Sequence, residues 1–221
     1  AQEHLRVLTM WLREQMPTSF DVTHEGRTRS LAETVQGRVK PGEADSIRDL
    51  VNIAAATSLA THFEELAPEY PTFLRLITRE NREQAAQEAL RWIGGAVKSQ
   101  QGAGVLDALE LLDGGELRPR ESRYARDVLD RLSNKGEGQV LNRSELIETE
   151  ATIEYWNPGR FRLEPEFLIV VLAALVHSGD LVLSVPGGKY DAAATDQFAK
   201  VGIRELLDFK HVERPKDLPL G

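Results

Sequence analysis

The stretch FRLEPEFLIVVLAALVHSGDLVLSVPGGKY, residues 161–190, decides the fold of this chain. Pro165 suits the first turn of a helix, and every residue from Phe167 to Val176 is apolar. Strand-forming residues follow from Leu181, and a glycine pair then provides a turn. The stretch therefore predicts an apolar helix that leads directly into a two-stranded ribbon.

The segments before this stretch predict a winged-helix order of elements. Residues 121–132 have the pattern of an amphipathic helix, Val140-Leu141 favours a short strand, and Asn142 is a suitable cap for a short helix. A winged helix that reads DNA carries polar and basic side chains on its recognition helix. No Lys or Arg lies between Glu164 and Ser178. Because a helix that is apolar on all sides is buried, we expect a winged-helix-like scaffold whose nominal recognition helix is interior.

The region before residue 116 is mostly helical in pattern. Apolar residues recur at helical spacing from about Ala44 to Leu66 and again after Asn81, whereas Phe20–Leu31 alternates around Glu25-Gly26 as a hairpin does. The predicted fold class is mainly α. We expect a helical subdomain with a short N-terminal hairpin at residues 1–115 and a winged-helix-like α+β subdomain with a C-terminal helix at residues 116–221.

Composition excludes several classes of function. The formal net charge is −8 and the sequence pI is about 5.3, which disfavours nonspecific attraction to nucleic acid or anionic lipid. The chain has no cysteine, so it has no disulfide, thiolate metal site or cysteine nucleophile. Its longest apolar run is about half of the roughly 20 residues that span a bilayer. These features predict a soluble, cytoplasmic protein without a membrane partner, and the uncapped start and extended end predict a piece of a larger protein.

The sequence contains no recognisable catalytic constellation. Neither Gly94–Ser99 nor Gly187–Tyr190 has the spacing of a phosphate-binding loop, and turns are the favoured interpretation of both. The five histidines are scattered, and the carboxylates Asp107, Glu110 and Asp113 favour a solvated face over a catalytic group. We therefore predict no catalytic residue, no metal site and no cofactor.

Basic side chains are the candidates for nucleic-acid contact. Four arginines fall within nine residues of the chain, and others lie close to the predicted ribbon. Phosphate contact is one interpretation of this group. A salt-bridged surface is the favoured one, because Glu121, Asp127 and Asp130 offer partners along the same helix. The candidates are Arg118, Arg120, Arg123, Arg126, Arg160, Arg162 and Lys189.

Several phrases of the sequence resemble an internal region of the large PglY/BrxC-type ATPases of bacterial phage-exclusion (BREX, Pgl) systems. The phrases are Leu66–Phe73, Leu76–Arg82, Ala85–Arg91, Gly138–Ile147 and Phe209–Asp217. The resemblance implies a very large cytoplasmic parent with a P-loop ATPase domain elsewhere, which works with a DNA methyltransferase and other defence proteins. It transfers no catalytic residue to this chain, because no catalytic motif of the family matches here.

Two functions from different classes follow. The favoured one is a non-catalytic assembly or docking module whose partners are the rest of the parent ATPase and other defence-system proteins. The alternative is a DNA-contacting winged-helix module that uses surface arginines and the wing, with Lys189 at its tip.

Overall fold

The computed structural model describes residues 2–35, 47–75 and 77–216. The chain is mainly α with an α+β part, as predicted, and it divides into two compact units, Ala1–Leu66 and Ala67–Gly221. The sequence analysis placed a boundary between residues 115 and 116 instead. The division falls earlier because the helices that follow residue 81 share one hydrophobic core with the later elements of the chain.

The first unit combines three helices with a β-hairpin. Strands β1 and β2 pair antiparallel, and Glu25 and Gly26 in the turn both have positive φ, 50° and 75°. This confirms the predicted hairpin, since a two-residue turn of this kind favours glycine at such a position. The elements are α1 (Gln2–Ser19), β1 (Asp21–His24), β2 (Arg27–Ser30), α2 (Leu31–Val35) and α3 (Ile47–Leu66).

A buried apolar cluster of the first unit lies between the hairpin, α2 and α3. Among its described residues, the buried apolar side chains are Leu31, Val35 and Ala54. Partly buried Val22 on β1 and two α3 side chains pack against them.

The second unit is larger and contains most of the strands. A 3₁₀ turn, Pro119–Glu121, precedes α6, and a 3₁₀ segment, Ala192–Ala199, precedes α9. The remaining elements are α4 (Arg82–Ile93), α5 (Gln100–Ala108), β3 (Leu112–Asp113), β4 (Glu116–Leu117), α6 (Arg123–Ser133), β5 (Leu141–Asn142), α7 (Arg143–Leu146), β6 (Ile147–Glu150), β7 (Ile153–Trp156), α8 (Pro165–His177), β8 (Val182–Val185), β9 (Gly188–Tyr190), α9 (Ile203–Leu207) and β10 (His211–Glu213).

Helix α8 is the centre of the second unit. Each of its residues from Pro165 to Val176 is buried, and α4, α6, α9, β7 and β8 all contact it. This confirms the prediction of an interior helix. In a winged helix that binds DNA, side chains of the recognition helix face the groove. Here the side chains of the corresponding helix are enclosed by protein.

Local signals explain how the helices around α8 begin and how closely they pack. The Ser122 hydroxyl accepts hydrogen bonds from the backbone N–H groups of Tyr124 and Ala125 at 3.1 and 3.2 Å, which caps α6. The same hydroxyl donates to the carbonyl oxygen of Leu109 at 2.7 Å, so this buried serine joins two segments. At Gly102 in α5, a Cβ atom would lie 2.6 Å from the Glu88 carbonyl oxygen. Only glycine therefore permits this approach of α5 to α4.

The sheet confirms the predicted ribbon and adds one strand to it. Strands β8 and β9 form the ribbon, and β5 is the short strand expected near residues 140–141. The order in the sheet is β5-β10-β8-β9, with every pairing antiparallel. Strand β10 was not predicted, and its position between β5 and β8 extends the helix-and-ribbon arrangement into a four-stranded sheet.

The hairpin β6–β7 was also not predicted. Its turn residues, Ala151 and Thr152, have φ of 47° and 75°. Glycine, asparagine and aspartate are the residues that mark such turns in a sequence, and a β-branched residue at positive φ is uncommon. The turn therefore lacks the residues by which a hairpin is recognised from sequence.

We predict that α8 supplies a large part of the stability of the second unit. Leu172→Ala removes a fully buried side chain, and we expect it to lower the free energy of unfolding by roughly 2–5 kcal/mol because the surroundings close only partly around the cavity. Chemical denaturation measures this change. The matched control is Leu74→Ala, where the side chain is 81% exposed and the expected change is within about 0.5 kcal/mol. Equal losses at the two positions would contradict the central role of α8.

A second prediction concerns the cap of α7. Hydrogen bonds from the Lys135 ammonium and from the backbone N–H of Asn142 lower the pKa of Glu145 to about 2, from an ordinary 4.5. Because the folded-state pKa is the lower one, this carboxylate stabilises the fold above pH 4.5, and that contribution is lost as the pH falls from 4.5 towards about 2. We expect Glu145→Gln to lower Tm at neutral pH and to flatten the decline of Tm over that acidic range.

Thermal melts followed by circular dichroism at several pH values measure both effects. Glu148→Gln is the matched control, because Glu148 is exposed and forms no ion pair with any residue that the structure describes. An acid decline that is the same in the Glu145→Gln variant and in the wild type would show that this cap contributes nothing to the pH dependence.

Candidate interaction surfaces

The seven basic side chains proposed for nucleic-acid contact lie in four places in the second unit. Arg118 immediately precedes the 3₁₀ turn before α6, and Arg120 lies within that turn. Two further arginines, at positions 123 and 126, are in the first turn of α6. The pair at positions 160 and 162 lies between β7 and α8, and Lys189 is on β9.

Six of these seven cations form an ion pair with a carboxylate of the same chain. The pairs are Arg118 with Glu116, Arg120 with Asp180, Arg123 with Glu110, Arg160 with Glu69, Arg162 with Glu150, and Lys189 with Glu213. The seventh, Arg126, donates to the backbone carbonyl oxygens of Glu121 and Ser122 at 3.2 and 3.4 Å. Phosphate contact would therefore compete with existing partners at six of the seven positions.

The partners differ from those that the sequence suggested. Glu121, Asp127 and Asp130 were expected to neutralise the α6 arginines along the helix. The carboxylates that pair with Arg120 and Arg123 come from other segments instead, because these side chains extend away from α6 towards the α5–β3 turn and the α8–β8 turn. The spacing of residues along the sequence does not show which distant carboxylate an arginine contacts.

The most connected of these ion pairs is centred on Glu69. Arg160 donates to both oxygens of this carboxylate, at 2.6 and 2.9 Å, and its Nη1 lies 3.6 Å from an oxygen of Asp127. Asp127 in turn accepts a hydrogen bond from Arg131 at 2.8 Å. The hydrogen bonds from Arg160 hold the pKa of Glu69 below its ordinary value, although burial acts in the opposite direction. Bidentate geometry of this kind fixes the orientation of both groups, so the network joins the segment after residue 66 to α6 and to the β7–α8 connection.

Aromatic rings hold two of the same arginines in place. The guanidinium carbon of Arg160 lies 4.7 Å from the centre of the Phe161 ring, and that of Arg162 lies 4.7 Å from the centre of the Tyr155 ring. Such contacts are favourable by about 0.5–1 kcal/mol at exposed positions. Together with the ion pairs, they give these cations a structural role within the second unit.

A polar cleft of about 650 Å³ lies at the start of α8. Arg82 on α4 contacts Glu164 at 3.1 Å and Glu166 at 3.0 Å, and Glu166 is buried. On the other side of the cleft, Arg143 donates to both oxygens of Glu154, at 2.9 and 2.6 Å. Sequence reasoning missed this site, although two carboxylates in the first turn of an apolar helix are a usable signal. Arg82 and Arg143 are paired with carboxylates in this way, whereas Arg79, which also lines the cleft, forms no ion pair with any residue that the structure describes.

The other sequence candidates do not assemble into a chemical site. Helix α5 ends at Ala108, and Glu110 has a φ of 56°, so the three carboxylates at positions 107, 110 and 113 do not share one helical face. Gly94 follows the end of α4, and Pro186-Gly187 form the turn between β8 and β9, which confirms a turn at both predicted places. Within residues 2–35, 47–75 and 77–216, no three His, Asp or Glu side chains are grouped as metal ligands would be.

Apolar surface is concentrated in the first unit. On α1, the side chains of Val7, Leu8, Met10 and Trp11 are each more than half exposed. Helix α3 has further exposed apolar side chains, and Phe20, which precedes β1, is also exposed. The second unit exposes few large apolar side chains among its described residues; they are Leu74, Val97 and Ile153.

In the part of the chain that the structure describes, no helix combines the length and the apolar character that crossing a membrane requires.

Comparison with known proteins yields two matches, which correspond closely to the two compact units. Residues 82–214 match the fourth domain of DUF6079, a family of unknown function, and residues 1–67 match the third domain of DUF6079. No curated protein and no solved structure matches the chain. Since the fourth-domain match alone covers more than half of the sequence, the chain belongs to the DUF6079 family.

Proposed function

We propose that the chain is a non-catalytic assembly or docking module that makes protein–protein contacts within a larger system. The observation that carries this proposal is the exposed apolar surface of the first unit. Soluble proteins rarely leave large contiguous apolar patches uncovered, and such patches mark interaction sites.

Burial of the exposed apolar side chains by a partner would stabilise the first unit. Buried apolar area stabilises a fold by roughly 25 cal/mol per Å², and only a few apolar side chains of the described part of this unit are buried. Covering the exposed faces with a partner would add buried apolar area to the unit. Association therefore stabilises the unit as well as joining it to a partner.

Helix α1 provides the face for docking to the parent protein. Trp11 follows Val7 by four residues and Leu8 by three, so both exposed side chains neighbour Trp11 and the three form one patch on the helix. A helix whose apolar side chains face solvent in isolation is typical of a segment that is covered by another protein element.

The charge distribution of the second unit supports protein contact over DNA contact. Six of the seven candidate cations are paired with carboxylates of the chain. The formal net charge of −8 adds a general repulsion from phosphates. DNA contact through the wing and the arginines is therefore the alternative outcome of the experiments below.

We place this module in a large cytoplasmic P-loop ATPase of a bacterial phage-exclusion system, with the rest of that ATPase and other defence proteins as its partners. The support is the resemblance of five sequence phrases to PglY/BrxC-type ATPases. The module itself contributes no catalytic residue and no cofactor in this proposal. The sequence of the full-length gene product tests the placement: a parent without a P-loop motif would overturn it.

We predict that the chain binds the separately produced remainder of its parent protein through α1. Leu8→Glu and Trp11→Glu each place a charge in the apolar contact, and we expect each to weaken binding at least about tenfold, since a buried unpaired charge is costly. Isothermal titration calorimetry measures the affinity. Leu74→Glu, on the second unit, is the control and should bind like the wild type.

A gel-shift titration with duplex DNA tests the DNA-contacting alternative. Retention of DNA at low ionic strength, with an affinity that falls steeply as salt increases, would favour the DNA-contacting alternative. Loss of that retention in an Arg126→Gln variant would locate the contact on α6. We expect no retention by the wild-type chain.

A further inference from the structure

Glu166, in the first turn of α8, is a buried carboxylate with an oxygen atom that has no partner. The residue is 6% exposed, and its Oε2 atom forms no hydrogen bond within the residues that the structure describes. Its Oε1 atom lies 3.0 Å from Nε of Arg82, although that N–H group is not directed at it as a hydrogen bond requires. Buried polar atoms without a hydrogen bond are costly and few in folded proteins. A donor from outside the chain would therefore be stabilised at Oε2.

The neighbouring carboxylate, Glu164, has partners for both of its oxygens. Nη1 of Arg82 donates to one at 3.1 Å, and the hydroxyl of Tyr70 donates to the other at 3.3 Å. Arg82 thus pairs with both Glu164 and Glu166, so one positive charge faces two negative charges. The N-terminus of α8 offsets the excess negative charge only in part, because a helix end is equivalent to roughly half a charge.

Both glutamates line the polar cleft at the start of α8. Its volume of about 650 Å³ is within the range of roughly 300–1,000 Å³ that is typical of small-ligand sites. Among the described residues that line it, four carboxylates face three arginines. One of the carboxylates, Asp208, is exposed and forms no ion pair with any residue that the structure describes. The cleft therefore combines an unpartnered buried acceptor with an excess of negative charge.

We propose that the cleft binds a guanidinium group, such as that of an arginine side chain on a partner protein. A guanidinium brings the positive charge that balances the carboxylates and an N–H donor for Oε2 of Glu166. Its five N–H donors lie in a planar fork, so one group can contact more than one carboxylate. It is also more weakly hydrated than an ammonium group, which favours its transfer into a partly buried site. Glu166 would then lie between two guanidinium groups, that of Arg82 and that of the ligand.

Arg79 also lines the cleft, and its substitution distinguishes a cation site from an anion site. Its side chain is exposed and forms no ion pair with any described residue. This charge would repel a bound cation, whereas it would attract a bound anion. We therefore expect Arg79→Gln to strengthen guanidinium binding about two- to fivefold, in line with the modest energies of exposed charge pairs.

An NMR titration of the full 221-residue chain with N-acetyl-arginine amide tests the proposal. We expect saturable changes at the backbone amide resonances of β7, which lines the cleft. The dissociation constant should be on the order of 1 mM, since a ligand of this size forms few contacts. N-acetyl-citrulline amide is the matched ligand control. Its neutral urea group can satisfy both Oε2 of Glu166 and the N–H of Arg82 without adding charge, and we expect it to bind at least about tenfold more weakly.

Two substitutions test the role of the carboxylates. Glu166→Gln keeps the size of the side chain and removes its charge, and we expect the dissociation constant to rise at least about tenfold. Asp208→Asn, at an exposed position, should raise it about two- to fivefold. Glu148→Gln, outside the cleft, is the control and should bind like the wild type. Circular dichroism shows whether each variant is folded, and Asp208→Asn keeps the proposal testable if the substitution of Glu166 unfolds the chain.

Four results would overturn the inference: no saturable binding, equal binding of the citrulline and arginine ligands, wild-type affinity in a folded Glu166→Gln variant, or weaker binding in Arg79→Gln. The inference goes beyond the docking function proposed for α1 and does not rest on it. Binding to the remainder of the parent protein is measured separately with the Leu8→Glu and Trp11→Glu variants, so either proposal can fail while the other stands.

Discussion

The burial of α8 on all sides is the constraint on which the second unit depends. A helix without a polar face has to be enclosed, since exposed apolar surface is unfavourable in water. Helices α4, α6 and α9 and strands β7 and β8 provide that enclosure. Because α4 is among them, the helices after residue 81 belong with the later strands, and the boundary between the compact units falls at Leu66 rather than near residue 115.

Enclosing α8 brings together loops that are distant in sequence, and ion pairs join these loops at the surface. Glu69 meets Arg160, and Asp180 at the end of the α8 region meets Arg120. Each pair links segments that are at least 60 residues apart. Arginines that resemble a phosphate-binding group in sequence therefore act as cross-links in the folded chain.

Features set by local chemistry were predictable from sequence, and features set by distant partners were not. The apolar run Phe167–Val176 identified an interior helix, and Glu25-Gly26 marked a hairpin turn. The hairpin β6–β7 was missed because Ala151 and Thr152 adopt positive φ without the usual turn residues. The central position of β10 and the partner of each arginine depend on long-range packing, which periodicity and spacing do not encode. The polar cleft at Arg82 was missed although Glu164 and Glu166, at the start of an apolar helix, are a signal that the sequence contains.

The two units differ in where their apolar side chains lie. This difference is the reason for assigning the proposed docking surface to the first unit. The second unit encloses its apolar helix and exposes ion-paired polar surface, so it can stand as a scaffold on its own core. The first unit buries few of its described apolar side chains and exposes those of α1 and α3 on separate helices. The exposed apolar surface of the first unit is therefore spread over two helices. The second unit therefore has a core of its own, and the exposed apolar side chains of the first unit are the surface on which the proposed docking function depends.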